Sequence, residues 1–259
     1  MTSPTDPTHD DWDTHWDEYA DSASRNPAQR MRHEIVSRLL VASAAHRPAR
    51  IFDIGSGQGD LVGLLAPLLP EAQFLGAELS ESGVEISKRK APHATFLVAD
   101  LFQPPVALQP FAGWASHAVC SEVLEHVDDP TAFLRQARPY LAEGAQLIVT
   151  VPGGPMSAFD RHIGHRQHFT RDSIGRVLAQ AGFDVEKVYL AGFPFFNLYR
   201  LTVIARGEKL IDEVRTGAQG GSSALAGFVM KVFRVLFRFN LLATPFGWQV
   251  IAVARKASA

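Results

Sequence analysis

The sequence predicts an α/β protein built on a mainly parallel sheet with helices on both faces. Two observations carry this prediction. Short apolar runs such as ARIFDIG (49–55), QFLGAEL (73–79) and AQLIVTVP (145–152) alternate along the chain with segments of helical character. Strands that alternate with helices pair in parallel and are covered on both sides by their crossovers. In addition, the last two strand-like runs, DVEKVYLA (184–191) and GWQVIAVARK (247–256), are separated by residues 192–246, far more than a hairpin connection needs.

The elements follow in order. Residues 1 to about 10, mostly Pro, Thr and Asp, predict a frayed start. Trp12, Trp16 and Tyr19 recur at helical spacing on an acidic segment and predict a short helix with one aromatic face. Asn26-Pro27 breaks it, and Ile35, Val36, Leu39 and Leu40 mark a second amphipathic helix. From residue 46 the alternating core begins. ARIFDIG is a buried strand, DLVGLLAPLL (60–69) its helix, QFLGAEL the second strand, and the segment around Gly83 to Arg89 the second helix. ATFLVAD (94–100) and WASHAVCSEV (114–123) are strands three and four, helical DPTAFLRQARPYL (129–141) follows, and AQLIVTVP is strand five. Thr170 is an N-cap with Asp172 in the first turn, and Gly182 is the helix stop. Strands six and seven bracket the long insertion.

Composition narrows the class. With 46% hydrophobic and 20% charged residues, the 259-residue chain is folded rather than disordered. The lone Cys120 excludes an internal disulfide and a cysteine-rich metal site, so a reducing, cytoplasmic setting is expected. The opening MTSPTDPTHDDWD has neither a basic region nor an apolar run, so no secretory leader is expected. No apolar run is long enough to predict a spanning helix. Net charge is −2 but unevenly placed: seven acids and no Lys or Arg precede Arg25, whereas ten bases face three acids from Lys187 onward. That asymmetry suggests an anionic partner near the C-terminal part, although a solvated surface would read the same way.

The chemistry gathers at strand ends. The first strand closes in Asp53-Ile54-Gly55-Ser56-Gly57-Gln58-Gly59-Asp60. Its glycines let the backbone turn tightly and approach a ligand closely, although a simple strand-to-helix turn would use the same residues. Glu78 ends the second strand, where a carboxylate can accept both hydroxyls of a ribose. Asp100 ends the third, where it can accept the exocyclic amine of an adenine with Leu101 and Phe102 beside the ring. Ligands of open parallel sheets sit beyond the carboxyl ends of the strands. Three consecutive strand ends carrying glycines, an acid and an acid therefore predict an adenosine-containing ligand.

These segments, DIGSGQGDL (53–61), GAELS (76–80), VADLF (98–102) and SEVLEHVDDP (121–130), resemble those of the class I S-adenosylmethionine-dependent methyltransferases. The resemblance covers about residues 12–191 and 247–256. It implies a Rossmann-like seven-stranded sheet with helices on both faces, the last strand antiparallel, and a helical insertion between the last two strands. It implies S-adenosylmethionine as cofactor, with Asp53, Gly55, Ser56, Gly57 and Gly59 at its methionine part, Glu78 and Leu79 at the ribose, and Asp100 and Leu101 at the adenine. Ser121 and Glu122 would line the space between sulfonium and acceptor. Residues 1–45 are then expected to supply lid helices, 46–191 and 247–259 the core, and 192–246 an acceptor cap or interface. The activity implied is in-line methyl transfer to a hydroxyl oxygen of a small molecule or of a lipid- or sugar-linked acceptor. A nucleic-acid (RNA) methyltransferase and a non-catalytic S-adenosylmethionine-binding protein are the alternatives. No nucleic-acid-binding module or long basic run is visible, so nucleic acid is not the expected partner.

Glu122, Glu125 and His126 are spaced i, i+3 and i+4 and converge if the fourth strand turns directly into a helix. Two carboxylates and an imidazole suit a divalent metal: magnesium, manganese or zinc. A similar E-x-x-E-H cluster with a later histidine holds the metal of small-RNA 2′-O-methyltransferases, and ubiquinone-pathway O-methyltransferases carry a related segment. DRHIGHRQHFTRD (160–172) offers His162, His165 and His168, and His165 matches the spacing of that later ligand. Read without a metal, Glu125 caps or lines the pocket, and His126, His165 or His168 is the general base.

In the insertion, Phe228, Val229, Val232, Phe233 and Leu236 form an apolar stripe with Lys231, Arg234 and Arg238 on another face. A basic amphipathic helix of this kind packs within its own protein, covers a lipid-like acceptor, lies on a membrane, or pairs in a dimer. Residues 225–246 are thus the candidate peripheral-membrane or dimer contact.

Overall fold

The computed structural model describes residues 26–44, 48–103, 106–207 and 224–258; the Trp12 to Tyr19 segment, and with it the lid expectation, lies outside them. The described chain opens with helix α1 (Pro27–Ala44). Asn26 caps it by accepting the Ala28 N–H at 2.9 Å, and Pro27 occupies the first turn, where its missing N–H costs nothing.

Seven strands follow: β1 (Arg50–Ile54), β2 (Gln73–Glu78), β3 (Thr95–Val98), β4 (Ala115–Ser121), β5 (Leu141–Pro152), β6 (Phe183–Ala191) and β7 (Gln249–Lys256). They form one sheet in the order β3-β2-β1-β4-β5-β7-β6. The strands β1 to β5 pair in parallel, and β7 is antiparallel to both of its neighbours. The last strand is therefore reversed, as expected. Because β6 and β5 are both antiparallel to β7, β6 points the same way as β1 to β5. Its carboxyl end, and the insertion that leaves it, lie on the edge where β1 to β4 also end.

Crossover helices α2 (Asp60–Leu65), α3 (Glu81–Lys90), α4 (Pro130–Ala137) and α6 (Arg171–Gln180) cover the sheet, with the short α5 (Ala158–His162) between β5 and α6. Successive strand residues face opposite sides. Phe52 and Ile54 join a core with Leu134 of α4 and Ile174 and Leu178 of α6. Ile51 joins a second core with Leu40 of α1, Leu61 and Leu65 of α2 and Val84 of α3. Each such aliphatic side chain contributes about 1.5–3 kcal/mol on burial. Helix α7 (Phe195–Ala205) and helix α8 (Ala224–Leu236) make the insertion helical. A smaller apolar cluster of Ala28, Met31, Phe196, Phe233 and Phe237 fastens it to α1.

Two boundaries differ from the sequence reading. The helix expected over 60–69 ends at Leu65, because Pro67 has no N–H for the Gly63 carbonyl and the chain tightens into turns. Likewise α4 stops at Ala137 and continues as a 3₁₀ turn over Arg138–Tyr140, since Pro139 cannot donate the next helical bond. The expected start and stop signals of α6 are present: Thr170 Oγ1 accepts the Ser173 N–H at 3.1 Å, and Gly182 takes a φ of 86°. Among the described residues, no helix is long and apolar enough to cross a membrane.

Candidate active site

A cleft of about 480 Å³ opens at the carboxyl ends of β1 to β4, lined by Gly55, Glu78, Leu79, Asp100, Leu101, Phe102, Glu122 and His126 among others. Gly55 has a φ of 72°, and a side chain there would meet Val123 Cγ2 at 2.5 Å, so the floor of the cleft requires glycine. Glu78 ties the glycine loop to β2: its Oε2 accepts the Gly57 N–H at 2.8 Å and its Oε1 the Ser80 N–H at 3.1 Å. Glu78 also lines the cleft. Asp100 Oδ1 accepts the Phe102 N–H at 2.9 Å, which sets the Phe102 ring at the mouth, 5.7 Å from that of Phe133.

Asp53 is buried, and its Oδ2 has no hydrogen-bond partner among the described residues. Burial, and then the neighbouring Glu78 charge, push its carboxyl up to about 7. A cationic ligand group would relieve both. Asp53, Ser56, Gly57 and Gly59 are not among the residues that line the cleft, and the last three shape the turn. Gly59 does so as the left-handed residue that starts α2.

The fourth strand does not turn directly into a helix. Only a single 3₁₀ turn, Leu124–His126, forms before α4. It is entered through Glu122 at a φ of 56°, a strained conformation for a residue with a side chain. Three elements hold it there. Glu122 Oε1 accepts from Thr150 Oγ1 (3.0 Å) and Gln249 Nε2 (2.9 Å), and Arg32 of α1 lies 3.4 Å from Oε2. Since the single Thr150 hydroxyl proton goes to Glu122, Ser121 Oγ donates in turn to Thr150 (2.8 Å). Ser121 is thereby turned to β5 and is not among the residues that line the cleft.

Behind Glu122 lies a polar cluster in which Glu125 is buried and His126 and His165 are half-buried. Ligand atoms of Glu125, His126 and His165 all lie within 4.8 Å of one another. Glu122, the fourth member of the metal set read from sequence, is engaged as above and is not in this group. Glu125 is fully buried, and neither carboxylate oxygen has a hydrogen-bond partner among the described residues. Burial and then Glu122 hold its carboxyl well above the usual range. The loop bearing His165 is clamped to this turn by the Arg166 N–H, which donates to the Glu125 carbonyl at 2.7 Å. The His126 and His165 rings meet edge to face with centroids 4.8 Å apart.

The tautomers follow from the bonds. His168 Nδ1 lies 3.1 Å from the Gly154 carbonyl, which can only accept, so the proton sits on Nδ1 and Nε2 carries the lone pair. His165 Nδ1, 3.3 Å from that Nε2, must then donate to it. His165 is left with its lone pair on Nε2, the atom a base or metal ligand needs. Burial, and then His126, lower His165 to about 3, so it is neutral near pH 7. His162 stands exposed at the end of α5, outside the cluster.

The sequence reading missed one pair. Asp160 caps α5 with Ser157 and receives both ends of the Arg200 guanidinium at 2.9 and 2.7 Å. A signal existed: Arg200 is the one charge in the apolar helix FFNLYRLTVIA, and Ser157-x-x-Asp160 is a capping-box pattern. Burial acts to raise the Asp160 carboxyl, but Arg200 and Ser157 outweigh it and hold it at about 2. Arg200→Met would leave a carboxylate that is 1% exposed without its counter-charge. A loss of about 3–5 kcal/mol of stability is expected, read as a shifted urea midpoint at pH 7. Because this carboxyl is depressed, the contribution is complete above about pH 4 and disappears as pH falls toward 2. An unchanged midpoint would show that the pair does not hold the insertion to the core.

Residues 27–188 match a family profile described as a methyltransferase domain. A trans-aconitate 2-methyltransferase of Afipia carboxidovorans is 29% identical over 159 residues, 59% of this chain and 59% of that protein. A malonyl-acyl-carrier-protein O-methyltransferase of Laribacter hongkongensis is 29% identical over 171 residues, 56% of each chain. The chain thus spans less than two thirds of the length of these relatives. Among solved structures, the magnesium protoporphyrin IX methyltransferase of Synechocystis PCC 6803, with bound SAH, shares the fold with a TM-score of 0.53 at 18% identity, over 87% of this chain and 82% of that one. Matched by the family profile across more than half its length, and built on the sheet that this fold requires, the chain belongs to the class I S-adenosylmethionine-dependent methyltransferases.

Proposed function

We propose that the protein transfers the methyl group of S-adenosylmethionine to an oxygen of a small-molecule or lipid- or sugar-linked acceptor. His126 carries this reading, because it lines the cofactor cleft and also belongs to the polar cluster with Glu125 and His165. One imidazole thus stands between the methyl donor's cleft and groups suited to holding a proton. The O-methyltransferase relative supports the choice of oxygen. In this reading Asp53 receives the cofactor ammonium, Glu78 the ribose hydroxyls, and Asp100 the adenine amine. Glu122 walls the cleft beside the sulfonium.

Displacement at a methyl carbon needs the nucleophile, carbon and sulfur in line, and it needs the acceptor's proton removed. Alignment is the task of the Glu122 turn, whose strained backbone is fixed by Thr150, Gln249 and Arg32. Proton acceptance falls to His126, the imidazole that lines the cleft, beside His165, which His168 orients while Gly154 orients His168. The residues also fit a divalent cation: a buried carboxylate whose two oxygens have no hydrogen-bond partner among the described residues faces two imidazoles at ligand spacing. Glu125, His126 and His165 would hold it, and such an ion would lower the acceptor oxygen's proton affinity.

The test incubates the enzyme with methyl-labelled S-adenosylmethionine and fractionated cell extract, with mass analysis of labelled products. An O-methylated product is expected, and label found only on nitrogen or carbon would overturn the choice of oxygen. A chelator should abolish turnover while cofactor affinity stays unchanged, since Asp53, Glu78 and Asp100 need no ion. Full turnover by metal-free enzyme would assign the histidines to proton transfer alone.

A further inference from the structure

We infer that the insertion docks the protein on an anionic membrane surface through the outward face of α8 and the segment that follows it. At about 100° per residue, α8 and its 3₁₀ extension present three separate faces. Phe233 and Phe237 point inward and are buried against α1 and α7. Lys231, Arg234 and Arg238 occupy a second, exposed face. Val229, Val232, Val235 and Phe239 occupy a third, and it is not covered: Val235 is 54% and Phe239 66% exposed. The chain after the helix extends this apolar surface with Leu241 and with Phe246, 63% exposed. The isolated bridge between Phe193 and Leu241, the bond that Asn197 donates to the Phe246 carbonyl and the bond that Asn240 accepts from the Phe195 N–H keep that segment against α7.

Ordinary packing accounts for the inward face and leaves the outward one unexplained. Large exposed apolar patches mark interaction sites, and charge selects the occupant here. The insertion, residues 192–246, contains seven Lys or Arg against three Asp or Glu, and from Ala224 to Phe246 it carries three bases and no acid. Of the seven, Arg200 is consumed by Asp160. Glu34 of α1, which lines a depression with Arg234 and Arg238, is paired with Arg30 at 2.9 Å. Apolar side chains flanked by cations match an interface of acyl chains and anionic headgroups. The topology adds a reason for the placement: the insertion leaves β6 on the edge that carries the cofactor cleft. Docking would bring that edge toward a lipid-borne acceptor, although the docking itself does not depend on the acceptor's identity.

The test uses the full chain with vesicles of phosphatidylcholine alone or with added phosphatidylglycerol, read by co-sedimentation. Binding to the anionic vesicles is expected to be at least tenfold tighter and to weaken with salt. The double variant Val235→Asp, Phe239→Asp should lose at least tenfold of that binding, and Lys231→Glu with Arg238→Glu should abolish the preference for anionic lipid. Cofactor affinity, measured by calorimetry in the same variants, should be unchanged, which separates failure of docking from failure of the methyltransferase reading. Sedimentation indifferent to lipid charge, including none at all, overturns the proposal. So does a dimer in sedimentation velocity that the Val235→Asp, Phe239→Asp variant dissociates, since a second copy would then cover this face.

Discussion

Glu125→Gln is expected to lower kcat by about 10²–10⁴-fold, the range for loss of a group that manages a proton in the transition state. The substitution preserves shape in a fully buried position, so folding should survive. What changes is the capacity to carry charge. The carboxyl is held well above the usual range by burial and by Glu122, a state that a bound cation would reverse by displacing the proton and that an amide cannot follow. The S-adenosylmethionine dissociation constant should move by less than about twofold, because the substitution leaves Asp53, Glu78 and Asp100, the groups proposed to hold the cofactor, in place. His165→Asn should have a similar effect, and the double variant should be scarcely worse than either one, as expected for groups acting as a unit. Additive losses, or kcat within about twofold of the parent with an unchanged melting temperature, would remove the cluster from the reaction.

Asp53→Ala and Glu78→Ala should each weaken S-adenosylmethionine binding by about 1.5–3 kcal/mol, the cost of losing a charged hydrogen-bond acceptor. Glu78→Ala should also loosen the glycine loop, since it removes the acceptor of the Gly57 N–H. For Asp53 the pH dependence is diagnostic. In the free protein its carboxyl titrates at about 7, whereas the ammonium of the cofactor favours the ionised form. Below pH 7, binding must therefore expel a proton, and affinity should fall up to about tenfold per pH unit. In the free protein the same shift has the opposite sense. A raised carboxyl contributes stability that is present below about pH 4 and lost as pH rises through 7. The cofactor should thus raise the melting temperature more at pH 8 than at pH 6. Calorimetry of the parent and Asp53→Asn across this range checks the point, and a pH slope that survives in Asp53→Asn would assign it to another group.

The features legible in the sequence were those that a local segment can encode. Strand and helix alternation, the Thr170 cap, the Gly182 stop and the glycine turn at Gly55 depend on neighbours a few residues away, so periodicity and turn chemistry reveal them. The strand-end positions of Glu78 and Asp100 were legible for the same reason, because a parallel sheet brings consecutive strand ends to one edge without further information. The tertiary structure alone decided how the polar groups divide their partners. Glu125 and His126 read as neighbours on a helix, yet they sit on a single 3₁₀ turn, and the clamp of Arg166 on Glu125 brings His165 to them. Glu122 read as a ligand, yet its oxygens go to Thr150, Arg32 and Gln249, the last of these 127 residues away. Ser121 turned with it, away from the cleft. Asp160 found Arg200 across 40 residues. The Gln249 bond depends on β7 inserting between β5 and β6, the Thr150 bonds on β4 pairing with β5, and the Asp160–Arg200 pair on the insertion folding back onto the core. A buried carboxylate takes whichever donors that closure supplies, and no periodicity within a segment records which they are.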